Sequence, residues 1–170
     1  MKFFSGFSLN GEKELFKEFL VDSKFSIAGF SYGAIKAFEY AISNESRVDR
    51  LILLSPAFFQ NKSKVFIKTQ LRYFKLNKEV YIKNFLENVA YPSNINLKKY
   101  LKEGDIKELE YLLKYKWEPQ KLQELKRRGI VIEIFLGEKD KIIDSNRALE
   151  FFSPITTTYL LKNRGHILKD

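Results

Sequence analysis

The sequence predicts an α/β fold, with a mainly parallel sheet of about five strands and a helical lobe inserted into it. Three observations carry this. Five short runs rich in Phe, Ile, Leu and Val recur along the 170 residues, most of them nearly continuous in apolar character, as strands covered on both faces of a parallel sheet are. Segments with apolar residues three and four apart separate these runs at both ends of the chain, as parallel crossovers require. Between 56 and 128 the strand-like runs stop while the helical spacing continues.

The strands are expected at 1–4, 24–28, 50–54, 130–136 and 156–161. The first helical pattern puts Leu15, Phe16, Phe19 and Leu20 on one side, with Asn10 as N-cap and Glu12 and Glu14 in the first turn, where carboxylates suit the helix dipole. A second carries Ile35, Phe38 and Ile42, and a third follows Asp144 with Ala148, Leu149 and Phe152. In the middle, helices are expected at about 62–76 and 80–89, with shorter pieces around 97–101 and 106–115 and breaks at Pro92 and Pro119. The organisation is a core of 1–57 and 129–170 with a cap lobe of 58–128.

Composition narrows the chemistry. With no cysteine, a disulfide framework, thiolate metal sites and Cys nucleophiles are all excluded. No apolar run approaches the ~18 residues of a membrane span. The apolar stretch 3–9 is short, with no small-residue cleavage site after it, so a secretory leader is not expected and a cytoplasmic location is. Thirty Lys and Arg against 21 Asp and Glu give a net charge of +9, which attracts polyanions at low salt. AT-rich coding DNA favours Lys, Asn, Phe, Ile and Tyr, so part of that charge is compositional.

The stretch 25–34 reads Phe-Ser-Ile-Ala-Gly-Phe-Ser-Tyr-Gly-Ala, an apolar strand leading through Gly-x-Ser-x-Gly into a helix that starts near Tyr32. This is a nucleophile elbow in the context it needs. The turn strains the serine backbone, and only glycine avoids collision two residues to either side, the positions of Gly29 and Gly33. Ser31 is therefore presented at a helix N-terminus, where amide dipoles stabilise developing negative charge.

A serine hydroxyl at pH 7 needs a base, usually a histidine oriented by a carboxylate. The sequence has one histidine, His166, after the last expected strand. The bland alternative is an exposed histidine in a terminal tail; the chain order nucleophile, acid, histidine favours the catalytic one. For the acid, Asp140 in 137–140 follows the fourth strand directly and is favoured over Asp144, which is placed to cap the next helix, and over Glu138. The oxyanion needs two backbone donors. The Tyr32 amide is one, and the Phe7 amide, in the loop 4–10 after the first strand, is the other. No metal or cofactor is implied.

At this point the residues resemble the α/β-hydrolase family. Besides the elbow, 48–57 is similar to the strand and exit after the nucleophile helix, and 137–143 to the acid loop. Within the family, Ser5-Gly6-Phe7-Ser8-Leu9-Asn10 resembles the His-Gly-Trp-Gly-Leu-Asn loop of the esterase that demethylates pimeloyl-acyl carrier protein methyl ester. The size and the Lys-rich cap resemble compact members with this activity, the BioV type. The resemblance implies a serine carboxylesterase of biotin precursor synthesis, with acyl carrier protein bearing a pimeloyl methyl ester on phosphopantetheine as partner. A small-ester carboxylesterase or acyl thioesterase with the same triad is the near alternative. A non-catalytic acyl-carrier or polyanion binder is the one from another class. No nucleic-acid or membrane partner is implied. The sequence departs from the family pattern in three places: Ser5 stands for the usual His, one strand and helix between Gly6 and Ser31 are missing, and four residues follow His166.

In the cap, Lys64, Lys68, Arg72 and Lys75 are four, four and three apart and share one helix face beside Ile67, Leu71 and Phe74. A basic stripe of this kind is either a solvated outer face or a docking strip for an acidic carrier protein.

Overall fold

The computed structural model describes residues 1–170. Its centre is a sheet of five parallel strands in sequential order, β1 (Lys2–Phe4), β2 (Ser26–Phe30), β3 (Arg50–Leu54), β4 (Val131–Gly137) and β5 (Thr157–Leu161). β2 begins two residues later than its apolar run, so the run ends at the elbow and not before it. Because every strand points the same way, the loops after all five emerge at one edge, and that edge holds every candidate site residue of the core.

Register divides the strand residues between two faces. Phe4, Ile27, Leu53, Ile134 and Leu160 lie on the face covered by α1 (Tyr32–Ser43), where Phe4 packs on Tyr40 with ring centroids 5.7 Å apart. Trp117 packs between Phe38 of α1 and Phe152 of α6 (Ser145–Phe152), and its indole N–H donates to the Ala57 carbonyl at 2.9 Å. Phe3, Phe30, Phe135 and Tyr159 lie on the opposite face. There Phe16 packs on Phe3 and Phe30, and Phe19 packs on Phe135. This second cover is thin: Val131 and Tyr159 stay exposed, so β4 and β5 alternate in burial where continuous burial was expected.

The first crossover is a 3₁₀ helix, Glu12–Phe19, and not an α-helix. Asn10 does not cap it: the preceding residue is Gly11, in the left-handed region at φ 80°, and no side chain caps the N-terminus. Asn10 is instead tied by its own backbone N–H, 2.8 Å from the Tyr100 carbonyl. Between β3 and β4 the chain forms α2 (Lys64–Leu76), α3 (Lys78–Ala90), a 3₁₀ turn at Leu97–Tyr100, α4 (Ile106–Lys114) and α5 (Pro119–Arg127). Side-chain caps open four of these: Ser63 on α2, Asn77 on α3, Asn96 on the 3₁₀ turn and Asp105 on α4. Pro119 is a start and not only a break, since the first helical position needs no N–H donor. No helix is long and apolar enough to cross a membrane.

Candidate active site

Ser31 sits between β2 and α1 at φ 54° and ψ −113°, a strained conformation for a residue with a side chain. Its backbone is over-determined. The Ser31 N–H donates to Leu54 at 2.9 Å, and its carbonyl accepts from Ala34 at 3.0 Å and Ala57 at 3.2 Å. The two elbow glycines allow this packing, because a Cβ on Gly29 would fall into the Gly33 carbonyl and one on Gly33 into the Phe4 carbonyl. The Ser31 hydroxyl is consequently held at the head of α1 and close to the end of β1.

His166 reaches it from the far end of the sequence. Its Nε2 lies 2.9 Å from Ser31 Oγ, and its Nδ1 lies 2.6 Å from Asp140 Oδ2. The imidazole and the Asp140 carboxylate are both fully buried. The segment around His166 is packed and not a free tail: Gly165, Ile167 and Leu168 are buried, and the Ile167 N–H donates to Val89 at the end of α3. Ser55, at φ 41°, donates its hydroxyl to the His166 carbonyl at 2.7 Å and so fixes the base from behind. Asp140 divides its oxygens. Oδ1 accepts from the Ile142 and Ile143 N–H groups at 2.7 and 3.0 Å, leaving Oδ2 for the histidine. Asp144 caps α6 through the Arg147 N–H, and Glu138 accepts from the Asn163 N–H; neither touches His166.

Both expected oxyanion donors are free to act. Tyr32 is the first residue of α1, so its N–H has no acceptor within the helix. The Phe7 N–H makes no hydrogen bond in the chain. The Phe7 loop is tied to the cap on its other side, where the Lys102 N–H donates to Ser8 at 2.9 Å and Leu9 bridges to Leu101. The Phe7 ring packs on Phe74 of α2 and Phe85 of α3.

Above Ser31 a cavity of about 600 Å³ opens between the sheet edge and the cap. Phe59, Phe66, Phe85, Leu109 and Leu113 are among its apolar walls; Gln70, Asn84 and Asn88 supply polar groups, and Lys62 and Lys141 are its only charged residues. A site of this size with a mostly apolar lining suits an acyl chain. Of the cap's aromatic residues, Phe59, Phe66, Tyr73, Tyr81 and Phe85 line it, whereas Phe58, Phe74 and Trp117 do not. Lys64 lies on the cap surface with Lys68, Arg72 and Lys75, and the last three line a separate shallow depression with Leu71 and Leu76. None of the four forms an ion pair.

Two residues that position this edge have no signature in the sequence. Ser55 is one of many serines near a strand end, and Glu12 reads as a first-turn carboxylate. Only the fold brings Ser55 to His166 and Glu12 to the Gly6 N–H.

No protein-family model and no curated protein sequence matches the chain. Solved structures match it in fold. MenH from S. aureus superposes with a TM-score of 0.59 at 18% identity, covering 93% of this chain and 67% of its own. Naproxen esterase (carboxylesterase NP) from Bacillus subtilis matches at 0.58 and 20% identity, over 84% of this chain and 53% of its own. A hydrolase from Oleispira antarctica matches at 0.62 and 15% identity, over 84% and 58%. The fold is that of the α/β-hydrolases. The chain spans from just over half to about two thirds of the length of these proteins.

Proposed function

We propose that the protein is a serine carboxylesterase that removes the methyl ester from a pimeloyl chain carried by acyl carrier protein. The observation that carries the esterase reading is the continuous hydrogen-bonded line from Asp140 through His166 to Ser31. Asp140 accepts the Nδ1–H of His166, which leaves Nε2 unprotonated and facing the serine hydroxyl. As Ser31 Oγ attacks the ester carbonyl, Nε2 takes its proton, and the Tyr32 and Phe7 amides receive the negative charge that forms on the carbonyl oxygen. The proton passes to the methoxy group, methanol leaves, and an acyl-serine remains. Water then attacks with His166 again as base, releasing the acid and Ser31.

The substrate rests on three supports. The 5–10 loop resembles that of pimeloyl-carrier methyl esterases, the cavity is mostly apolar and lined by no carboxylate, and the cap presents four unpaired cations to an acidic partner. A small-ester carboxylesterase is the competing reading, favoured by the likeness in fold to the Bacillus subtilis carboxylesterase. Methanol release from pimeloyl-carrier methyl ester, measured beside free dimethyl pimelate, separates the two. Higher kcat/KM for the carrier-bound ester is expected, and equal values would leave only the general esterase. In both assays Ser31→Ala abolishes release while the circular dichroism spectrum stays that of the wild type. Retained release would remove Ser31 from the mechanism.

A further inference from the structure

We infer that Glu12 is a positioning residue that sets the Phe7 amide toward the oxyanion, an inference that rests on the esterase reading above. Glu12 opens the first 3₁₀ helix and is 0% exposed. Its Oε1 accepts from the Gly6 N–H at 2.7 Å, and its Oε2 is buried with no partner at all. Packing alone favours an apolar side chain at such a position, because a buried carboxylate with one hydrogen bond is costly. The one thing this carboxylate does that an apolar residue does not is hold the Gly6 N–H.

That bond matters because of what lies next to it. The Gly6 carbonyl belongs to the same peptide group as the Phe7 N–H and accepts from Leu9 at 3.2 Å. In a trans peptide the carbonyl and the N–H point in opposite directions, so a carbonyl held toward Leu9 aims the Phe7 N–H the other way. A glycine offers little steric resistance to rotation of this group. Glu12 fixes the preceding peptide and Leu9 fixes this one. Together they clamp Gly6 from both sides and leave the Phe7 N–H without a partner. Removing the Glu12 acceptor leaves one clamp, and the donor then spends part of its time misaligned. Such a loss acts on the transition state, where the oxyanion exists, and spares ground-state binding.

The test compares Glu12→Ala, Glu12→Asp and Glu12→Gln on p-nitrophenyl butyrate, with rates normalised to the fraction of Ser31 that a fluorophosphonate labels at completion. That normalisation removes misfolded protein from the count. Asp keeps the charge but is one methylene too short to reach the Gly6 N–H; Gln keeps an oxygen acceptor at the same reach. Glu12→Ala and Glu12→Asp are expected to lower kcat by about 10- to 100-fold with KM within about twofold, short of the 10²–10³-fold cost of deleting a donor outright. Glu12→Gln is expected to return kcat to within about threefold of wild type. Wild-type kcat in both shortened variants, or a Gln variant as slow as they are, would overturn the role of Glu12. A wild type that neither labels nor turns over any ester would instead overturn the esterase reading, and the role of Glu12 with it.

Discussion

Asp140 and Asp144 stand four residues apart in one loop, and the hydrogen bonds assign them opposite kinds of work. Asp140 spends one oxygen on two backbone amides and the other on His166, whereas Asp144 spends its carboxylate on the first turn of α6. The two substitutions therefore separate activity from stability. Asp140→Asn presents an N–H to the histidine, forces the proton onto Nε2 and removes the base, so kcat is expected to fall by about 10⁴-fold. Asp144→Ala loses a cap, expected to cost about 0.5–2 kcal/mol in urea unfolding while kcat stays within a few-fold of wild type. Equal kinetic damage from both would dismantle the assignment. At this scale Ser31, Asp140 and His166 are legible in the sequence because each is marked: one by flanking glycines, one by a strand end, one by being the only histidine. Glu12 and Ser55 act through single hydrogen bonds to backbone atoms, 6 and 111 residues away, a relation that residue type and spacing do not encode.

Among the elements, β3 begins and ends where its apolar run does, and α2 to α4 form within a few residues of the spacing that predicts them. The first crossover is a 3₁₀ helix whose first residue, Glu12, is tied to the Gly6 N–H. Propensity is silent on that tie. Pro119 reads equally as an end and as a beginning, and only the buried Leu122 and Leu125 on the following turn decide for a beginning. The cap helices are joined by a polar contact with a titration of its own. Tyr81 on α3 donates to Gln70 of α2 at 2.9 Å and packs edge-on against Phe74, and burial pushes its phenol up from 10 to about 12. Between about pH 10 and 12 the folded chain keeps this proton while the unfolded chain loses it. The contribution of Tyr81 is therefore constant below pH 10 and declines as pH rises toward 12. Urea midpoints followed by Trp117 fluorescence should show wild type ahead of Tyr81→Phe at pH 8, with the gap shrinking or reversing by pH 11.5. A gap that is the same at both pH values would show that the phenol carries no such linkage.

For the whole molecule, the +9 charge meets the site through the cap. The cations of α2 form no salt bridge, and the cavity beside them has no acidic lining. Glu110 of α4, paired with Lys114, is near enough to Lys75 for both cations to lower its carboxyl pKa, Lys114 the more. The strip therefore offers an approaching polyanion a net positive face with one carboxylate at its side. The same features fit a solvated outer face, and ionic strength decides between the two. Raising salt from about 0.1 M to about 1 M shortens the screening length from ~10 Å to ~3 Å. Attraction over the distance of an encounter is lost, while a hydrogen bond inside the buried triad is not. If α2 steers an acidic carrier protein, kcat/KM on the carrier-bound methyl ester falls by about tenfold or more across that range, and the free ester changes by less than about twofold. The variant carrying Lys68→Gln, Arg72→Gln and Lys75→Gln should start low on the carrier-bound ester and stay flat with salt, matching wild type on the free one. These three side chains lie outside the cavity that contains Ser31, so a loss confined to the carrier-bound ester cannot come from damage to the reacting groups. Parallel salt curves for the two esters, or a variant indistinguishable from wild type on both, would return the stripe to solvent and leave the carrier-protein substrate without its electrostatic support.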